Sequence, residues 1–160
     1  MKNRLAAAVA LAAALMIGTT GCTFSAEIAT QKDYDPSDGV GAEIGDLAIR
    51  NMLLIGDDGD TLNLVMTVES ISDSSQRLSV QWQDSGERVT EDVFIDPSSL
   101  TAIGGPEQPQ VIVTGAGGQV GGLVPVFLSY GSQPGVEVLV PVLDGSLPEY
   151  TLFVPARKES

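Results

Sequence analysis

The chain has 160 residues, with 8 basic and 21 acidic side chains, no histidine and one cysteine, for a formal charge of −13. Such a surface repels phosphate backbones and anionic lipid headgroups, which excludes nucleic-acid binding. The lack of histidine removes Ser-His-Asp and Cys-His catalysis, and with it the commonest zinc and copper ligand.

Residues 1–21 have the layout of a cleaved signal peptide. Lys2 and Arg4 supply a positive start, and an Ala- and Leu-rich apolar run follows over 5–17. At about 13 residues that run is shorter than the roughly 20 a spanning helix needs. Thr19-Thr20-Gly21-Cys22 then resembles a lipobox, whose commonest form is Leu-Ala-Gly-Cys; Thr19 departs from the usual Leu. The resemblance implies cleavage before Cys22 and a thioether from its sulfur to diacylglycerol. The alternative is an ordinary secretory signal with an incidental cysteine. An unpaired thiol in an oxidising compartment needs an explanation, and acylation supplies one. Each buried CH₂ contributes about 0.8 kcal/mol, so two acyl chains anchor stably where one does not.

Removing residues 1–21 leaves six basic against 21 acidic side chains, a formal −15. No disulfide can form within a chain that has one cysteine, so packing alone must hold the core. Residues 22–43 are expected to be the lipidated cysteine and a flexible tether. They are polar, with turn residues over 33–39, and have no sustained period. Part of that stretch is alternatively a weak first strand, with Glu27, Ile28 and Ala29 pairing.

Residues 44–156 read as strand after strand. Leu47, Ile49, Leu53 and Ile55 share one parity, and Asp58-Gly59 is a hairpin signal. Over 61–69, Leu62, Leu64, Met66 and Val68 face one way while Asn63, Thr67 and Glu69 face the other, which marks a half-buried strand. The next strand turns Leu78, Val80 and Trp82 inward and Arg77, Ser79, Gln81 and Gln83 outward. Further strands are expected over 89–95, 110–114, 123–130, 136–142 and 150–154, with Gly-, Pro- and Ser-rich turns between them. About 7–9 short, mainly antiparallel strands with no long helical period predict an all-β fold, an immunoglobulin-like or cupredoxin-like β-sandwich. Residues 157–160 are a tail. Trp82 resembles the buried tryptophan of immunoglobulin-like sandwiches; the simpler reading is that the largest residue fills the core.

The run 111–121, Val-Ile-Val-Thr-Gly-Ala-Gly-Gly-Gln-Val-Gly, resembles the strand and glycine turn of short-chain dehydrogenases. Those glycines place a pyrophosphate at a helix N-terminus. Here Gly122, Val124, Pro125 and Val126 oppose the helix that must follow, and a proline inside a helix costs about 3 kcal/mol. No Tyr-x-x-x-Lys pair exists, so the run is expected to be a glycine loop between two strands, with no nucleotide. Asp57, Asp58 and Asp60 are expected to form a solvated turn and not a Ca²⁺ loop, since their spacing is not that of an EF-hand. Met52 and Met66 are the soft ligands beyond residue 22, and Met66 has core parity. No acid pair for glycoside hydrolysis stands out among the carboxylates.

The lipobox, the stretch 45–51 (Gly-Asp-Leu-Ala-Ile-Arg-Asn) and the run 62–82 together resemble small actinobacterial lipoproteins of the LpqE-like type. These are in turn distantly similar in layout to the periplasmic PCu(A)C copper chaperones, which are cupredoxin-like sandwiches. Those chaperones bind Cu(I) through two His and several Met residues, and this chain lacks the His and has nothing Met-rich after Met66. The reading is of a lipoprotein on the extracytoplasmic face of the cell membrane, whose non-catalytic sandwich binds a partner or ligand, with an envelope protein as one such partner. The alternative is a degenerate metal-handling protein of the copper-chaperone kind. Cys22 is the one assigned site residue, for lipidation; no catalytic, cofactor-binding or metal-binding residue is assigned.

Mass spectrometry of the membrane-bound protein is expected to show acyl mass on a peptide beginning at Cys22. Cys22→Ala is expected to leave unprocessed precursor or unanchored protein.

Overall fold

The computed structural model describes residues 37–156, together with Lys2, Arg4, Ala6, Ala7, Ala8 and Ala10, which are helical and exposed. Cys22, most of the expected tether and the tail 157–160 lie outside the described residues. Residues 35–160 form a compact unit of their own, separate from 1–34.

Among the described residues, nine strands build that unit: β1 (Val40–Ile44), β2 (Leu47–Ile55), β3 (Thr61–Ser70), β4 (Gln76–Asp84), β5 (Glu87–Ile95), β6 (Leu100–Ile103), β7 (Val111–Thr114), β8 (Leu123–Tyr130) and β9 (Val136–Leu143). They follow the order β5-β4-β8-β9-β2-β3-β6, with β1 on β2 and β7 on β3. Every pairing is antiparallel except β2 with β9, which meet in parallel at Leu54↔Val142 and Ile55↔Leu143. The two layers, β5-β4-β8-β9 and β1-β2-β3-β6/β7, are therefore joined along that short seam. The expected all-β sandwich is what the chain forms.

Strand β3 carries the clean alternation of its sequence into the fold. Leu62, Leu64, Met66 and Val68 are buried in one continuous core with Leu78, Val80 and Trp82 of β4 and Val124, Val126 and Leu128 of β8. Truncating a buried Leu of this kind costs about 2–5 kcal/mol. Trp82 fills the core as the simpler reading expects, and its Nε1 donates to the Thr114 carbonyl at 3.0 Å. That bond satisfies the one polar atom of a large buried ring.

Strand β2 departs from the single parity expected of it. Leu47 and Ile49 face the core, but beyond a bulge it is Met52 and Leu54 that do so. Asn51 sits at that irregularity with φ 50°, and one extra residue flips every later side chain to the other face. Leu53 and Ile55 are still buried, outside the main core cluster. Asn is among the few side chains that tolerate this left-handed conformation, and its Oδ1 accepts the Gly39 N–H at 3.0 Å.

Three other expectations are corrected. The sheet begins at Val40, inside the stretch 22–43 assigned to the tether, because Val40 to Ile44 pair with Met52 to Leu47. Strand β6 was not expected at all. Its four residues are too few to show a period, and it exists because Met66 to Glu69 of β3 offer it a partner. The expected strand over 150–154 is instead a 3-10 turn, Thr151–Phe153. No strand among the described residues pairs with it, and its groups bond locally, Tyr150 N–H to Leu147 O and Phe153 N–H to Tyr150 O.

This C-terminal segment is pinned at two points. Asn63, 1 % exposed on β3, donates from Nδ2 to Gly104 O at 2.7 Å and to Phe153 O at 2.8 Å. Tyr150 donates its hydroxyl to the Asp38 carboxylate, just before β1. That bond, with the negative charges of Asp38 and Glu149, pushes the Tyr150 phenol from 10.0 up to about 12.

Two outcomes are expected. The folded state binds the Tyr150 proton more tightly than the unfolded chain does, so its contribution is complete below pH 10 and is lost as pH rises toward 12. Ultraviolet titration should find one tyrosine ionising late, and Asp38→Asn should return it toward 10. A Cβ at Gly118 would lie 2.7 Å from Leu62 Cδ1 and 2.9 Å from Val124 Cγ2. Gly118→Ala should therefore lower the denaturation free energy by about 1–3 kcal/mol, as overpacking does.

Candidate functional site

The residues singled out for chemistry are used for structure. The glycine run is the loop between β7 and β8, and the chain leaves it as strand β8, with no helix for a pyrophosphate to cap. The loop closes on its neighbours. Gly115 takes φ 60° against the Asp84 carboxylate, Gly115 N–H donates to Asp60 O at 3.1 Å, and Gly118 is buried under Leu62.

The aspartate loop between β2 and β3 spends two of its three carboxylates in the same way. Asp58 Oδ1 accepts the N–H groups of Asp60 and Thr61, both at 3.1 Å, and Asp57 Oδ1 accepts the Gly145 N–H at 3.1 Å. Nearby, Ser146 donates its hydroxyl and its N–H to Asp144 Oδ1, which lowers the Asp144 carboxyl from its ordinary value. Self-bonded turns of this kind are what Asp favours at loop positions. A hollow at the β1–β2 hairpin brings Glu43, Asp46 and Glu69 near Ala48 and Ile71. Among the described residues, no group of three or more His, Cys, Asp or Glu could hold a metal ion. Met52 and Met66, 0 % and 2 % exposed, place their sulfurs in the core and not at the surface.

The outer face of the β5-β4-β8-β9 layer is of a different kind. Register aligns Thr90, Gln81, Phe127 and Glu137 in one row across four strands. A second row holds Arg88 beside Gln83 and Pro125 beside Leu139, and a third pairs Leu123 with Pro141. The apolar members are open to solvent: Phe127 is 37 %, Leu139 53 % and Leu123 59 % exposed. Between the rows is a hollow lined by Gln81, Trp82, Gln83, Arg88, Pro125, Phe127 and Glu137.

The hollow has a backbone cause. β4 and β8 pair from Leu78↔Tyr130 to Gln81↔Phe127 and no further. Pro125 follows on that strand, and a proline has no N–H with which to continue a ladder. The strands part there, and the opening is left between Gln83, Arg88 and Pro125.

The polar side chains around it are idle. Gln81, Gln83, Arg88 and Glu137 have no hydrogen-bond or ion-pair partner among the described residues. Their neighbours on the same face do pair: Ser79 donates to Asp92 at 2.6 Å, and Arg77 meets Asp92 at 3.6 Å and lies over the Phe94 ring. This face was not singled out by motif. Its signal in the sequence is a gap in charge, since 108–136 contains no Asp, Glu, Lys or Arg in a chain that is 18 % charged.

No family model matches the chain, and no curated protein does. Solved structures similar in fold include two PCuAC domains. The apo PCuAC domain of PmoF2 has 18 % identity and a TM-score of 0.51, over 68 % of this chain and 98 % of that one. The apo PCuAC domain from PmoF1 has 15 % identity and a TM-score of 0.53, over 64 % of this chain and 98 % of that one. The likeness is one of fold, and the side chains described here do not supply the soft ligands a Cu(I) site needs.

Proposed function

We propose that this protein is a lipid-anchored β-sandwich on the extracytoplasmic face of the cell membrane, and that it binds a partner or ligand without catalysis. The observation that carries the binding role is the outer β4-β8-β9 face. It combines exposed apolar side chains with four hydrogen-bonding groups that serve nothing inside the domain. A few convergent polar groups on an apolar surface are the usual make-up of a binding site. The anchor rests on the lipobox-like stretch ending at Cys22 and on the resemblance to LpqE-like lipoproteins. The non-catalytic reading rests on the lack of histidine and on the single cysteine being committed to lipid.

A second reading, a degenerate copper-handling protein, draws on the fold likeness to PCuAC domains. Its difficulty is chemical. Histidine is absent, and the two methionines of the sandwich are core residues. Carboxylates alone suit hard cations and not Cu(I).

Two measurements separate the readings. Cross-linking of the acylated protein in its own envelope is expected to give a reproducible adduct, and repeated blanks would count against a binding role. Titration of Cu(I), Cu(II) and Ca²⁺ is expected to leave the melting temperature unchanged; a saturable rise with copper would favour the second reading.

A further inference from the structure

Resting on that binding role, we infer that the hollow on the β4-β8-β9 face is a subsite for a neutral sugar ring. The ligand follows from the chemistry of the surface. A pyranose has an apolar C–H face and a rim of hydroxyls, each both donor and acceptor. The Phe127 ring and Pro125 offer an apolar platform, with Leu139 and Leu123 extending it along the strands. Aromatic faces attract C–H groups weakly but with geometric preference.

Around the platform stand both kinds of hydrogen-bonding group. Arg88 only donates, Glu137 only accepts, and the amides of Gln81 and Gln83 do both. None has an internal bond to give up, so a hydroxyl ligand gains these contacts without breaking others. The row Gln81–Phe127–Glu137 puts a hydrogen-bonding group on each side of the ring.

Charge selects a neutral ligand. The single cation of the hollow, Arg88, is matched by the single anion, Glu137, and the chain as a whole is at −13. A uronate, a phosphate headgroup or a nucleic acid meets net repulsion here. Geometry disfavours an added peptide strand. β4 and β8 are paired up to Gln81↔Phe127, so the edges they leave unpaired beyond it are only a few residues long, and Pro125 lacks the N–H an added strand would need there. Repetition of apolar residues along β8 and β9 fits a ligand of several sugar units lying along the strands.

The test is calorimetric titration of the full-length protein with neutral oligosaccharides of glucose, galactose, mannose and N-acetylglucosamine, and with an acidic uronic-acid oligosaccharide. At least one neutral series should bind. Phe127→Ala should weaken it by about tenfold or more, the loss of an aromatic platform. Gln81→Ala, which removes no packing from the core, should weaken it as well and guards against a folding effect of the first variant. Leu100→Ala, an exposed apolar residue of β6 on the other layer, should leave binding unchanged. Binding of the acidic sugar alone, no neutral binding at millimolar concentration, or binding indifferent to both Phe127→Ala and Gln81→Ala would overturn the inference. In parallel, Leu139→p-benzoylphenylalanine should be irradiated in the native envelope. A captured polypeptide with no sugar binding overturns the sugar subsite and leaves the binding role intact; blanks in both assays remove both.

Discussion

Strand β3 is the member without which the sandwich has no frame. One edge holds β2 from Leu47↔Ser70 to Ile55↔Asn63, and the other holds β7 and β6 end to end. One face supplies four of the buried core residues, Leu62, Leu64, Met66 and Val68. The other face, through Asn63, holds the C-terminal segment and the Gly104 turn by two carbonyls. A period of two over ten residues fixes all four roles at once, because slipping the register by one residue would put Asn63 into the core and Leu62 out of it. With no disulfide available, that patterning takes the place of a covalent constraint.

The parts of the fold legible in the sequence are those where local pattern and tertiary demand agree. β3 and β4 announce themselves by alternation, and β8 and β9 by short apolar runs between glycine turns. The failures have physical causes. β6 is four residues long and owes its form to β3. The segment over 150–154 has strand-like composition but no free strand edge to join. β2 has the composition of a regular strand, yet its bulge at Asn51 hands the core from Ile49 to Met52, which single-parity reading cannot anticipate. The bulge and the turn both depend on partners distant in sequence, which is where tertiary context overrides propensity.

Candidate chemistry was legible mainly in the negative direction. The glycine run and the three loop aspartates look functional in one dimension, and in three dimensions they close turns against Asp84, Asp60 and Gly145. The face with unspent hydrogen-bonding capacity has no motif, because it is assembled from alternate residues of four strands. What the sequence does show of it is the uncharged span 108–136, which supplies β8 and the approach to β9. In a strongly acidic protein such a span leaves one surface where a neutral or apolar ligand meets no electrostatic barrier. The same surface carries Pro125, whose missing N–H both ends the β4–β8 ladder and opens the hollow. A defect in the sheet and a place to bind are thus one feature.

The central claim is that this face, and no other part of the acidic surface, is where the protein meets its ligand. Hydroxyl-radical footprinting of the full-length protein, alone and with its own envelope material, tests it most directly. Phe127, Leu139 and Leu123 should lose reactivity together while Leu100 and Leu152, both exposed elsewhere, keep theirs. Unchanged labelling at Phe127 and Leu139, with protection at Leu100 or Leu152 instead, would contradict the account.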